Sequence, residues 1–269
     1  MKLVRNMIWL SACWIVVLAA GCAANPGAAP GPGGRGDIMT ESDETDGRRR
    51  ARIRLELAAN YFQQGQTNVA LDELKQALAA DPTFADAYNL RGLVYMRLDD
   101  NALAEDSFRR ALSLNPRDGD VMHNYGWLLC QQAKYNESTA MFGRAVATPG
   151  YGGQPKTLMA QGICQIRAGQ LAEGERSLLQ SYELDAGNPI TGYHLSLALF
   201  QRGDLPRAQF YIRRINNSDL ARAETLWLGI KIERALGNRE AMLQLARQLN
   251  NRFGSSREAA AYDKGAFNE

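Results

Sequence analysis

Four cysteines and two histidines are the side chains of this sequence best suited to covalent or metal chemistry. The two histidines, His123 and His194, are far apart in the sequence, and no group of histidine, cysteine and carboxylate residues has the spacing of a metal site. There is no Gly-x-Ser-x-Gly motif and no defensible Ser/His/Asp set. We therefore expect no catalytic centre, no metal, no cofactor and no small-molecule substrate, and we expect each histidine to be a surface or groove residue.

Cys22 follows an uncharged, apolar run of 14 residues, Met7 to Ala20. This run is shorter than the roughly 20 apolar residues that a transmembrane helix needs, and with its basic start it is typical of a secretory signal over residues 1–21. Its end, Leu-Ala-Ala-Gly-Cys, resembles a bacterial lipobox, in which the cysteine is acylated, although Ala stands where Leu is commoner. The alternative is an ordinary signal with a chance cysteine at the cut site. By resemblance to Gram-negative lipoproteins, Ala23 favours lipid anchoring in the outer membrane, with the folded domain in the periplasm.

Residues 22–47 are predicted to be the lipidated cysteine and a flexible tether. The segment up to Gly36 consists mostly of Ala, Gly and Pro, and the remainder is acidic and polar, so neither part can bury enough apolar surface to fold. As a coil it would span roughly 25–30 Å between its ends. Loss of Lys2 and Arg5 with the signal leaves 29 basic residues against 29 acidic ones, so charge does not indicate a nucleic-acid partner.

The rest of the chain repeats with a period of about 34 residues, marked by small residues that recur in pairs twelve positions apart and by turn residues in step with them. This pattern resembles the tetratricopeptide repeat, in which two helices of about 12 to 14 residues pack closely at small residues. Because one repeat cannot cover its own apolar face, the repeats stack. We predict an all-α, right-handed tetratricopeptide-repeat superhelix of about six helix-turn-helix repeats. The small pairs are Ala58 and Ala70, Gly92 and Ala104, Gly126 and Ser138, Gly162 and Gly174, Ser196 and Ala208, and Gly229 and Ala241, with turns at Gly65, Asp99, Ala133, Gly169, Gly203 and Gly237.

The superhelix is predicted to span residues 48–254, with a C-terminal tail at 255–269. The glycine-rich stretch 148–155 is expected to be a longer turn, since no predicted strand precedes it and no Lys-Ser/Thr pair follows. The run Arg48 to Arg50, with Arg52 and Arg54, is expected to be the solvated start of the first helix, with contact to lipid phosphates as the alternative. The predicted repeats lie near 51–84, 85–118, 119–154, 155–188, 189–221 and 222–254.

Cys130 and Cys164 remain after removal of the signal. They take the twelfth place of repeat three and the tenth place of repeat four, so both stand late in neighbouring first helices. Since these helices pack side by side, the two Cα atoms can reach the separation of about 4.4–6.8 Å that a disulfide requires. The oxidising periplasm favours the bond, and two buried free thiols are the alternative.

The concave face of this repeat is lined by the second, fifth, ninth, twelfth and thirteenth places of the first helix. The ninth places are Ala59, Leu93, Trp127, Ile163, Leu197 and Ile230, and the twelfth places are Phe62, Met96, Cys130, Ile166, Phe200 and Glu233. Such an apolar strip suits an amphipathic partner helix, with burial between neighbouring first helices as the alternative. A basic clamp for acidic termini is largely missing, although Arg97, Lys156 and Arg167 occur. The predicted partner-binding groove consists of Leu55, Ala59, Phe62, Asn89, Leu93, Met96, His123 and Trp127.

Three segments resemble the PilF/PilW family of type IV pilus biogenesis lipoproteins: HNYGWLLCQQAKYNES in repeat three, ARAETLWLGIKIERALGNREA in repeat six, and the closing QLNNRFGSSREAAAYDKG. The general repeat does not demand these segments, and the resemblance extends over the lipobox, all six repeats and the tail. Two polar residues depart from the expected pattern, Arg91 at the seventh place of repeat two and Gln165 at the eleventh place of repeat four.

The resemblance implies a pilotin, which carries the outer-membrane secretin PilQ to the outer membrane and promotes its assembly into a ring. Acyl chains at Cys22 would provide the membrane anchor, and the first three repeats would hold an amphipathic helical or extended segment of the secretin through Phe62, Leu93, Met96 and Trp127. Two alternatives remain open. One is an adaptor lipoprotein that scaffolds other cell-envelope or outer-membrane assembly complexes, and the other is a chaperone subunit for another secretion ring.

Overall fold

The computed structural model describes residues 44–267 and contains thirteen α-helices and no strand in that range. The predicted signal at 1–21, the lipidation site Cys22 and most of the tether lie outside the described residues. The helices are α1 Asp46–Gln63, α2 Thr67–Ala80, α3 Ala85–Arg97, α4 Asn101–Leu114, α5 Gly119–Gln131, α6 Tyr135–Val146, α7 Gln154–Arg167, α8 Leu171–Leu184, α9 Pro189–Arg202, α10 Leu205–Asn216, α11 Ala223–Ala235, α12 Arg239–Phe253 and α13 Arg257–Asp263. Helices α1 to α12 form six pairs, in which the odd-numbered member is here called the A helix and the even-numbered member the B helix.

The turn inside each pair lies at the residue that the period predicts. All six predicted turn residues have a positive φ, from 57° at Asp99 to 86° at Gly203. A left-handed residue ends the A helix and lets the B helix start after only a few residues. Four of these positions are glycine, which adopts this conformation without a steric penalty.

The structured part begins and ends differently from the sequence prediction. Helix α1 starts at Asp46 rather than near residue 48, because the Thr45 hydroxyl accepts a hydrogen bond of 3.1 Å from the Arg48 amide and caps the first turn. The predicted C-terminal tail contains helix α13, which begins after Ser256, whose hydroxyl accepts a hydrogen bond from the Ala259 amide. The tail is therefore part of the folded unit.

Within each pair, a small residue on the A helix faces a large residue on the B helix. A Cβ atom at Gly92 would lie 2.5 Å from the Phe108 ring, so only glycine allows this approach. Phe108 and its equivalents Phe142 and Leu178 are fully buried at the same place of successive B helices. The predicted spacing of small and large residues thus corresponds to the packing between A and B helices.

The two polar departures from the repeat pattern are satisfied by serines on the partner B helices. Arg91 donates from Nε to the Ser107 hydroxyl at 2.9 Å. Gln165, which is buried, accepts a hydrogen bond of 2.7 Å from the Ser177 hydroxyl. A buried polar group costs little when it has such a partner, so neither departure disturbs its repeat.

Contacts between pairs define the curvature of the stack. Each A helix from α1 to α9 contacts the next A helix, whereas among the described residues no B helix contacts the next B helix. The A helices therefore line the inner, concave side and the B helices spread over the outer side. Helix α13 packs against α11 and α12 and closes the last pair.

Candidate functional site

The predicted groove residues lie on the A helices of the first three repeats, on the concave side. Seven of the eight predicted residues are half-buried, and we call these seven the open strip. A half-buried apolar side chain packs against its neighbours through one part and leaves another part for a partner. The open strip consists of Leu55, Ala59, Phe62, Asn89, Leu93, Met96 and Trp127.

His123 is the exception, because its side chain is buried rather than exposed in the groove. Its ring Nδ1 lies 2.9 Å from the Thr157 hydroxyl of helix α7, and that hydroxyl lies 3.0 Å from the Tyr151 hydroxyl. Burial, and then the charge of Lys156, lower the pKa of His123 to about 4. His123 therefore joins two neighbouring A helices as a neutral ring and offers little surface to a partner.

The apolar strip is also interrupted at three of the places that the repeat predicts to be open. Cys130 is 3% exposed, Ile230 is 0% exposed and Glu233 is 1% exposed. Glu233 faces the preceding B helix, where it accepts hydrogen bonds of 2.8 Å from Arg213 and Gln209. The remaining ninth and twelfth places of repeats four and five are half-buried.

Two arginines at the thirteenth place of their A helices extend over aromatic rings of the open strip. Arg97 places its guanidinium carbon 3.9 Å from the centre of the Phe62 ring and donates from Nη1 to the Phe62 carbonyl oxygen at 2.6 Å. The guanidinium carbon of Arg167 lies 5.1 Å from the centre of the Trp127 ring. The sequence shows both arginines, but not that each one crosses to the neighbouring repeat.

His194, the second histidine, is half-buried on helix α9. Burial, and then the positive charge of Arg167, lower its pKa. The ring of Tyr193 lies against it with 5.2 Å between the ring centres. His194 is thus a neutral, partly accessible side chain close to the arginine edge of the groove.

Cys130 and Cys164 form a disulfide between helices α5 and α7. Their Cα atoms are 5.9 Å apart and both side chains are buried. The bond joins repeats three and four near the C-terminal ends of their A helices, whereas the contact between His123 and Thr157 joins the same helices near their N-terminal ends.

Two of the three arginines at the start of helix α1, Arg48 and Arg49, pair with carboxylates. Arg48 forms an ion pair with Asp81, and its guanidinium lies 4.6 Å from the centre of the Phe84 ring. Arg49 pairs with Asp46 at 3.2 Å. These contacts agree with the solvated start of a helix and leave less charge for lipid phosphates.

The glycine-rich stretch between α6 and α7 is a turn held by Tyr151. A Cβ atom at Gly119 or Gly153 would lie 2.5 Å or less from the Tyr151 side chain, so both glycines make room for this ring. The turn is thus anchored against the start of α5, and no described strand precedes it.

A cavity of about 380 Å³ lies at the C-terminal end of the concave side, between helices α9, α11 and α13. Its two basic and two acidic lining residues balance in charge, and Arg257 pairs with Glu258 at 2.7 Å. The lining therefore does not select an ion of either sign. The cavity is lined by Tyr193, Leu197, Glu224, Trp227, Leu228, Lys231, Arg257, Glu258 and Ala261.

Residues 44–267 contain neither a cluster of metal-binding side chains nor a helix suited to cross a membrane. No three side chains among His, Cys, Asp and Glu in this range are placed to hold a metal ion. None of the described helices combines the length and the apolar character needed to span a bilayer.

Six helix pairs with left-handed turns and a concave A-helix face define a tetratricopeptide-repeat protein. In agreement, residues 60–99 match the TPR repeat family and residues 85–118 match the tetratricopeptide repeat family. The chain belongs to the PilF/PilW family of tetratricopeptide-repeat proteins of type IV pilus biogenesis.

Two relatives, PilW and PilF, agree with this assignment. The crystal structure of PilW, described as a widely conserved type IV pilus biogenesis factor, is 31% identical, covers 79% of this chain and 97% of its own, and superposes with a TM-score of 0.72. The type IV pilus assembly protein PilF of Pseudomonas aeruginosa is 25% identical over 76% of this chain and 81% of its own length. The structure of Pseudomonas aeruginosa PilF has a TM-score of 0.74 at 22% identity, over 82% of this chain and 100% of its own.

Proposed function

We propose that this protein is an outer-membrane lipoprotein of the pilotin type, which binds the type IV pilus secretin through its concave groove and promotes secretin localisation and multimerisation. The observation that carries the proposal is the open strip, a row of half-buried and, apart from Asn89, apolar side chains on the concave face of a PilF/PilW family member. Proteins of this fold use such concave surfaces to hold other proteins.

The shape and chemistry of the strip support a peptide segment as the occupant. Phe62, Met96 and Trp127 lie on three successive A helices. Aromatic rings and a flexible methionine on a preformed surface fit the apolar face of an amphipathic helix or an extended segment. In the pilotin role that the family resemblance implies, this segment belongs to the secretin.

The lipid anchor in this proposal is Cys22. Two or three acyl chains would hold the protein firmly in the outer membrane, since each buried CH₂ contributes about 0.8 kcal/mol. Residues 23–47 would act as the tether between the anchor and the repeats. Radiolabelled palmitate should be incorporated into the wild-type protein and not into Cys22→Ala.

The binding part is tested with a double substitution in the open strip. Phe62→Ala combined with Met96→Ala should weaken binding of the purified secretin by at least tenfold, because it removes two of the largest apolar contacts. The helix content measured by circular dichroism should stay unchanged. Leu103→Ala combined with Val69→Ala is the matched control, since both residues are exposed on B helices, at 44% and 40%.

The cellular part is tested in a deletion strain. Loss of twitching motility and of secretin multimers, restored by wild-type protein and not by the double variant, is the expected result. Normal pili and normal multimers in the deletion strain would contradict the proposal. In that case the adaptor for other envelope complexes becomes the better explanation, and co-purification with such a complex would identify it.

A further inference from the structure

We propose that the groove selects an acidic amphipathic segment, whose carboxylates pair with Arg97 and Arg167 while its apolar side chains lie on the open strip. The inference rests on the proposed function, because it names the chemistry of the segment that the groove holds. It is carried by the placement and the charge of the two arginines.

The two arginines are prepared to bind carboxylates. Each guanidinium carbon lies over an aromatic ring, at 3.9 Å from the ring centre for Arg97 on Phe62 and at 5.1 Å for Arg167 on Trp127. A guanidinium held over a ring loses part of its freedom but keeps N–H groups for a second partner. In Arg97, Nη1 is engaged by the Phe62 carbonyl oxygen, and Nε and Nη2 remain for a bidentate contact.

Neither arginine has an acidic partner among the described residues. For comparison, Arg91 of α3 pairs with Asp106, and Arg202 of α9 pairs with Glu175. Within residues 44–267, by contrast, no carboxylate oxygen lies within 4.0 Å of the Arg97 or Arg167 side-chain nitrogens, and both residues are exposed. The positive charges at the edge of the strip are therefore available to a partner.

The opposite edge of the groove carries negative charge in repeats two and three, and positive charge at Lys156 in repeat four. Asp86 and Asp120 are exposed at the second places of α3 and α5, roughly 16 Å along the helix from the thirteenth place. An apolar floor between a basic and an acidic edge orients an amphipathic segment. Its acidic flank is expected to face the arginines and its basic or neutral flank to face the aspartates.

The repeat geometry sets the spacing of the partner's carboxylates. Arg97 and Arg167 are two A helices apart, and packed helices are about 8–10 Å from axis to axis, which gives roughly 16–20 Å. A helical partner covers this distance in about 11–13 residues and an extended one in about 5–6 residues. The partner segment should therefore carry Asp or Glu at one of these two spacings, next to apolar residues.

The test uses two synthetic 18-residue amphipathic peptides with the same leucine face and either glutamate or lysine flanks. Binding to the full-length protein is followed by fluorescence anisotropy at low and high salt. The acidic peptide should bind at least tenfold more tightly than the basic one at low salt, and the difference should shrink at high salt. Arg97→Glu with Arg167→Glu should abolish the preference, while Arg144→Glu with Arg247→Glu, on exposed B-helix positions, should leave it unchanged.

Equal binding of the two peptides to the wild-type protein, or a preference that survives in the Arg97→Glu, Arg167→Glu variant, would overturn the inference. Capture of purified secretin on the same immobilised variants separates this result from the proposed function. If both double variants retain secretin equally well, the inference fails and the proposed function stands. The preference for the acidic peptide can also be lost in the Arg97→Glu, Arg167→Glu variant while neither the wild-type protein nor any variant retains secretin. In that case the proposed function fails and the groove binds an acidic segment of another protein.

Discussion

Equivalent positions of the A helices have different surroundings in the first three repeats and in the sixth repeat. In repeats one to three, the ninth places Ala59, Leu93 and Trp127 are half-buried on the open concave side. In repeat six, the ninth place is Ile230, which is fully buried in a core that includes Ala259 of helix α13.

This difference arises from the neighbour and not from the repeat itself. An A helix in the middle of the stack packs against the helix pair of the next repeat, whereas α11 packs against α13. Phe267 also covers α11, since its ring stacks on Trp227 with 5.3 Å between the ring centres. The terminal repeat of a solenoid needs such a cover, because its last apolar face would otherwise meet water. The groove is thus open at its first repeats and closed at its last one.

The largest expected difference between the closed repeat six and the more open repeats is in the cost of truncating an isoleucine at the ninth place. Ile230→Ala should lower the free energy of unfolding by about 2–5 kcal/mol, since it empties a fully buried site. Ile163→Ala, at the ninth place of repeat four, should cost clearly less, because its half-buried side chain already meets solvent. Urea unfolding followed by circular dichroism measures both, and equal costs would show that the two positions do not differ in burial.

The disulfide interrupts the row of half-buried twelfth places at repeat three. Cys130 takes the twelfth place of repeat three, where repeats one and two have the half-exposed Phe62 and Met96. Replacing both cysteines by alanine should lower the free energy of unfolding by about 3–4 kcal/mol, the value expected for a closed loop with a sequence separation of 34 residues.

A single Cys164→Ala substitution should cost nearly as much as the double substitution, since either change removes the bond. A disulfide-linked peptide pair in a non-reduced tryptic digest is the direct check. Two separately alkylated peptides, together with wild-type stability that reductant does not change, would contradict the bond.

The fold could be predicted from the sequence because its signals are local and repeat six times. A small residue such as Gly92 and a large one such as Phe108 stand at fixed spacing, and a left-handed turn residue such as Gly203 stops each A helix. The open strip followed from the same positions, as the half-buried Phe62 and Met96 show.

The rest of the site depends on contacts between repeats, which the period does not encode. His123 is buried because Tyr151 and Thr157, from an irregular turn and the next repeat, come to lie against it. Ile230 is buried because a helix forms in a segment that the sequence indicated only as a tail. The arginine edge was visible as residue types, but not the reach of each arginine to the ring of its neighbour.

Burial also differs at the fifth place of the A helix within the first three repeats, because Leu55 and Asn89 are half-buried there while His123 is buried. The pKa of His123 is lowered to about 4 from its ordinary value of 6.5, mainly by burial and then by the charge of Lys156. In the unfolded chain the ring takes up a proton as the pH falls below about 6.5, whereas in the folded chain it stays neutral until about pH 4. The stability that is fully present above pH 6.5 is therefore lost as the pH falls towards 4, at up to about 1.4 kcal/mol per pH unit from this residue.

Urea midpoints measured from pH 7.5 to pH 4.5 test this expectation on wild-type protein and on His123→Gln, whose amide can keep a hydrogen bond to the Thr157 hydroxyl. The variant should lose less stability than the wild type over the acidic half of the range, although the two should differ little at pH 7.5. His194→Gln serves as the matched control, since its pKa is lowered in the same direction but its ring remains partly accessible. If His123→Gln and the wild type lose stability in parallel, His123 is not held neutral between α5 and α7, and the fifth place of repeat three is as open as in the first two repeats.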